Sequence, residues 1–279
     1  MQNTVLEKMK KIKTLFQESK EQALQTNDLE TCIIELNRIE NEFRSVAYEA
    51  AAMAFAEKDL LAKNTLTNWN LFCKKAEATY AVQLHVGLGW ALAKENKETS
   101  AFFNSLDSFM VPRVLDGMGY YDGVFRQRAT IKNLKISDKF DSSDLNHYDQ
   151  GVGRSIWYLA AGNPTKCSEI INTFPSERKV DLWRGIGIAS VYVGGCDDAT
   201  LLELKKTAKE YSIALTVGAA LAIKSRVESN SVINDTESAC KLLLRSNANE
   251  LVEKLNTIRK ESPGIAYNKW LAAIEQYCI

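Results

Sequence analysis

Residues 151–195, GVGRSIWYLAAGNPTKCSEIINTFPSERKVDLWRGIGIASVYVGG, decide the fold. A Gly-x-Gly opens an apolar helical stretch at Gly151, and a Gly-Asn-Pro breaker follows at Gly162 to Pro164. A second helix then runs from Cys167 to Phe174, and at Gly185 the pattern begins again. From Gly151 to Gly185 is 34 residues, the length of a helical hairpin. The same opening stands at Gly87 (GLGWALA), Gly117 (GMGYYDG) and Gly218 (GAALAI), so successive spacings are 30, 34, 34 and 33. Ala51, in the cluster Ala50-Ala51-Ala52, lies 36 residues before Gly87 and marks a sixth, degenerate copy.

Glycine inside a helix costs about 1 kcal/mol against alanine. Its return at one repeat position implies helix axes packed closely against each other there. No strand precedes any of these glycines, which disfavours a dinucleotide or phosphate loop. The expectation is an all-α protein of tandem helical hairpins, a tetratricopeptide-like superhelix with a repeat of about 34 residues. A closed α/α toroid is the alternative, and the sequence leaves the two open.

On the N-terminal side, Val5, Met9, Ile12, Phe16 and Ala23 share one helical face. Asn27 and Asp28 supply an N-cap for the next helix. Residues 1–44 are therefore assigned to a helical extension and 45–279 to the helical-repeat domain. Pro112, Pro164 and Pro263 mark helix starts, as do Asp197 and Asp198. The helix after Pro263, with Ile265, Trp270, Leu271, Ile274 and Tyr277, is expected to cap the last repeat.

The chain of 279 residues carries 35 basic and 35 acidic side chains, which argues against a nucleic-acid partner held through phosphates. Its longest run free of charged side chains, Ala78 to Ala93, includes Gln83 and His85 and is too short to span a membrane. No secretory signal is read at the N-terminus, so the cytoplasm is the expected compartment. Six cysteines at wide spacing and two histidines predict neither disulfides nor structural zinc, and no cofactor is implied. The basic run Arg126, Arg128, Lys132, Lys135, Lys139 against Asp138 reads as a solvated face, with an acidic partner's docking patch as the minor reading.

In-register stacking would set residues two before the reference in a ladder: Glu49, His85, Asp149, Trp183 and Thr216, with Leu115 and its neighbour Asp116 in the irregular third copy. Three after the reference come Trp90, Tyr120, Arg154, Ile188 and Leu221. Acids at helix starts are explained without function as caps or macrodipole partners. The alternative is a concave surface uniting Glu49, His85, Asp116, Asp149 and Arg154 with Trp90, Tyr120 and Trp157, where burial would bring proton affinities toward neutrality.

The blocks AYEAAAMAFA, HVGLGWALA, LDGMGYYDGVF, DQGVGRSIWY, FPSERKVDLWRGIGIASVYVGG and GAALAIKSR, over residues 45 to 250, resemble a bacterial domain of unknown function. That domain is encoded beside enediyne polyketide synthases and in related natural-product clusters. The resemblance implies polar positions at Glu49, His85, Asp116, Asp149, Arg154 and Asp181. The chain departs from the pattern at Ala50, at Tyr120-Tyr121-Asp122, where the family has an aromatic followed by histidine, and at Arg184, where it has a small residue. Asp122 is the candidate to replace that histidine.

The expected function is binding, with non-redox acid/base processing of a cyclase or isomerase type, of an apolar polyene or terpenoid-like intermediate. Asp116 and Asp149 would move protons, Glu49 and His85 would tune them, and Arg154 would hold a charged substrate end. Trp90, Tyr120 and Trp157, with Asp122, Asp181 and Arg184, would complete the binding site. The alternatives are a helical-repeat scaffold for a partner biosynthetic enzyme or peptide, and a non-catalytic carrier or self-protection protein.

Overall fold

The computed structural model describes residues 2–26, 28–76, 78–136, 140–261 and 264–278. Asn27, Asp138, Lys139 and Pro263, invoked above, lie outside the described residues. Among those residues the protein is all helical: α1 (Gln2–Gln25), α2 (Leu29–Asn37), α3 (Asn41–Ala62), α4 (Thr67–Lys75), α5 (Ala81–Lys94), α6 (Ser100–Phe103), α7 (Val111–Phe125), α8 (Ser142–Leu159), α9 (Pro164–Asn172), α10 (Ser176–Val193), α11 (Asp198–Thr207), α12 (Ser212–Glu228), α13 (Asn234–Leu244), α14 (Ala248–Glu261) and α15 (Tyr267–Tyr277). No helix among the described residues is long and apolar enough to cross a membrane.

The helices carrying the repeat glycines, α5, α7, α8, α10 and α12, pack side by side in chain order after α3. These six are apolar on opposite sides at once, which is why α3 and α12 are buried through most of their length. The shorter, amphipathic α4, α6, α9 and α11 return the chain outside them. Between α7 and α8 the return is instead a π-helical turn, Arg128–Lys132. It buries Thr130 and Ile131 and exposes Arg128 and Lys132; Lys135, just beyond it, is exposed too.

The glycines work by close approach. A Cβ on Gly117 would lie 2.2 Å from the Val86 carbonyl oxygen, on Gly151 1.9 Å from that of Asp116, on Gly185 2.0 Å from that of Gln150, and on Gly218 2.0 Å from that of Arg184. Each carbonyl belongs to the residue just before the preceding copy's glycine. Gly87 meets the carbonyl of Glu49 at 2.3 Å, so the true reference in α3 is Ala50, one residue earlier than the spacing suggested.

The row curls until its ends meet. Ser45 of α3 hydrogen-bonds Tyr192 of α10 (2.6 Å), and the Gln83 amide of α5 donates to Ser225 of α12 (2.7 Å). The buried Arg226 guanidinium donates to the carbonyls of Glu42 (2.7 Å), Ser231 (3.0 Å) and Tyr192. N-terminal halves of α3 and α5 thus face C-terminal halves of α10 and α12. The curl closes on itself, with its ends offset along the helix direction.

Helix α1 lies along α3 through the predicted face, burying Val5, Met9, Ile12 and Ala23 in the same core. Lys8 ties it to Glu42 (2.8 Å) and to Asp235 of α13 (2.9 Å). Its start passes over Gly195, whose φ of 81° suits glycine and where a Cβ would sit 3.0 Å from the Val5 backbone. At the other end of the chain, α15 buries Trp270, Leu271 and Ile274 against α12 and α14. Asp28 and Asp197 cap α2 and α11 as expected.

Candidate functional site

All six inner helices border one small cavity of about 30 Å³, lined by Glu49, Gln83, Arg113, Asp116, Arg154 and Tyr192 with Ile188 and Leu221. It has room for about one water molecule. The early helices reach it with residues one and four before the reference, the late ones with residues three and seven after it. This is the consequence of the offset curl, and it selects which predicted residues meet.

Glu49, Asp116 and Arg154 come together. Arg154 pairs with Asp116, whose other oxygen accepts from the Gln150 amide at 2.7 Å. Glu49, 6% exposed, borders the same cavity, and among the described residues no ion pair holds it. Burial pushes its carboxyl up to about 7, with Arg154 opposing and Asp116 adding to the rise. Arg154 also lies 4.4 Å from the Tyr120 ring centroid. Tyr120 continues into an aromatic wall with Trp90 (4.8 Å) and Tyr158 (5.8 Å), and burial drives its phenol well above its usual range. Phe16 of α1 covers Trp90 at 5.0 Å, so the N-terminal helix seals this side of the interior.

Other predicted residues lie elsewhere. Asp149 is gripped on both oxygens by the buried Arg178 (2.8 and 2.5 Å); burial, against the pull of Arg178, raises its carboxyl to about 6. His85 turns outward to α4, its Nδ1 2.7 Å from the Ala81 carbonyl oxygen and its ring edge-on to Trp69. Burial lowers its proton affinity. Asp122 joins Arg126 (2.6 Å) and the Tyr148 hydroxyl (2.9 Å). Asp181 pairs with Arg184, and Trp157 is wholly buried core.

The capping explanation for the acids does not hold. Glu49, Asp116 and Asp149 sit well inside helices that begin at Asn41, Val111 and Ser142. Among the described residues no group of three His, Cys, Asp or Glu side chains converges as a metal site.

Sequence reasoning missed Gln83, Arg113, His147 and Gln150. With Ala50 as reference, the positions one before the small residue read Glu49, Val86, Asp116, Gln150, Arg184 and Val217. Those four before it read Val46, Gln83, Arg113, His147, Asp181 and Ala214. These two rows, three residues apart on one helix face, form a polar stripe that a one-residue slip in α3 had hidden.

The fold and its interior polar stripe define a closed, all-α helical-repeat protein. The chain matches the family described as "Protein of unknown function (DUF1702)" over residues 1–278 and belongs to it. The match includes the first 44 residues, which the resemblance read from the sequence had left out. No curated protein and no solved structure matches the chain.

Proposed function

We propose that the protein encloses a small, largely apolar molecule inside its helical curl and moves a proton on it with Glu49. The observation that carries this reading is a buried carboxyl that no ion pair holds among the described residues, raised by burial to about 7, at the point where all six inner helices converge. A general acid or base works best with a proton affinity close to the working pH. The Asp116–Arg154 pair beside it is a fixed dipole that stabilises charge developing on the ligand. Trp90, Tyr120 and Tyr158 supply an aromatic wall, and Tyr120 presents its ring to Arg154. Proton movement without redox change suits an isomerase or cyclase.

The resemblance to the domain encoded with enediyne polyketide synthases suggests a polyene or terpenoid-like intermediate of bacterial specialised metabolism. A scaffold role is less well supported, because α1 and α15 fill the inner surface that a peptide-binding repeat would leave open.

Native mass spectrometry of gently purified protein, followed by analysis of an organic extract, tests the reading. An apolar compound should be retained by the natural sequence and lost from Ile188→Trp, which fills the cavity. A clean apo mass, or equal retention by the filled variant, would refute it.

A further inference from the structure

Four buried polar atoms have no hydrogen-bond partner among the described residues: the Tyr267 hydroxyl, Nδ1 of His147 beside it, Oε1 of Gln150 one turn along the same helix, and Nε of Arg184. Their residues are 5%, 4%, 1% and 6% exposed, so bulk water does not reach them freely. The His147 ring meets Tyr267 edge-on at 5.2 Å, and the Arg113 guanidinium lies 5.0 Å from the Tyr267 ring centroid. Buried polar groups are nearly always paired, and four orphans on three adjoining helices signal an occupant.

The charges say what kind. Asp116 is already matched by Arg154 and Gln150, and Asp181 by Arg184 through one terminal nitrogen. Among the described residues Arg113 has no carboxylate partner, and it borders the central cavity. At His147 and Tyr267 the charges of Arg113 and Arg184 outweigh that of Asp116, so the local field is positive even with Glu49 bordering the same cavity. We infer that Arg113, His147, Arg184 and Tyr267 form a binding site for a small oxyanion, a carboxylate or phosphate group, where α7, α8, α10 and α15 meet. Guanidinium N–H and phenol O–H groups match such oxygens, and the Gln150 carbonyl oxygen accepts from a protonated one. Half-buried Arg113 can swing aside to make room. That this anion is the head group of the interior ligand rests on the function proposed above; the anion site does not.

With two histidines in the chain, the imidazole NMR spectrum reads the site directly. His147 starts with its proton affinity lowered to about 4, by burial and then by Arg184 and Arg113, against a side-chain hydrogen bond with Asn268. Inorganic phosphate and, in parallel, acetate are titrated into the natural protein. The expected result is a saturating movement of the His147 signal and an upward shift of its pKa, with His85 unmoved. The stronger ligand identifies a phosphate or a carboxylate site.

Tyr267→Phe, which removes only the unpartnered hydroxyl, should weaken binding several-fold, and Arg113→Gln should abolish it. Glu49→Gln, which removes a negative charge from the same cavity, should not weaken binding, so loss of the acid/base reading leaves this result intact. No saturable His147 response to either anion, or a response unchanged in both variants, would overturn the inference.

Discussion

Gly151→Ala isolates the force that builds the curl. An added Cβ would lie 1.9 Å from the Asp116 carbonyl oxygen and 2.6 Å from the Tyr120 nitrogen, both backbone atoms inside a buried helix. Neither can rotate away. Restoring the 3.0 Å below which real Cβ contacts essentially never fall requires a parting of 3.0 − 1.9 = 1.1 Å between α7 and α8. A gap of about 1 Å forfeits roughly half of the dispersion energy of each contact it opens. Overpacking of this kind costs about 3 kcal/mol at the upper end of its usual range. Alanine returns about 1 kcal/mol through its helix propensity. The net loss is about 2 kcal/mol, or roughly 4–8 °C in melting temperature for a protein of this size. Thermal unfolding followed by circular dichroism measures it. If Gly151→Ala melts at or above the natural protein, the glycines are not there for close packing and the repeat has been misread.

Three further outcomes follow from the same geometry. Exchanging the small residue across one seam should be tolerated: Gly123→Ala alone drives its methyl to 2.0 Å from Ser155 Oγ and should unfold at lower urea, whereas adding Ser155→Gly should recover most of the loss. Asp149→Asn leaves the buried Arg178 without its counter-charge and should cost about 3–5 kcal/mol, partly regained in Asp149→Asn/Arg178→Met. An Asp149→Asn protein as stable as the natural one would show the pair to be dispensable to the fold. The third concerns pH. Below the ordinary 4.5 of a glutamate both states of Glu49 hold the proton and it contributes nothing. Between 4.5 and about 7 the unfolded chain ionises first, so stability falls as pH rises. Above 7 the burden is complete, about 3 kcal/mol. Glu49→Gln should therefore be more stable than the natural protein at pH 8 and nearly equal to it at pH 4 in urea titrations. An equal difference at both pH values would mean that Glu49 is not buried as described.

Helix content, the repeat and the seams between inner helices were legible in the sequence because they are local or nearest-neighbour properties. Amphipathic spacing shows which face of α1 packs, and glycine at a fixed period reports contact between consecutive repeats. The offset of the curl is not of that kind. It is the sum of small rotations between successive helices, and it alone decides that Glu49, Asp116 and Arg154 share a cavity while Asp149 and His85 do not. The degenerate first copy compounded this: three consecutive alanines give no register, and only the carbonyl of Glu49 against Gly87 identifies Ala50 as the equivalent position. Repeat spacing determined what each helix touches before and after it in the chain. Only the tertiary structure decided what lies across the interior, because closure brings together residues with no periodic relation, such as Gln83 with Ser225 and Lys8 with Asp235.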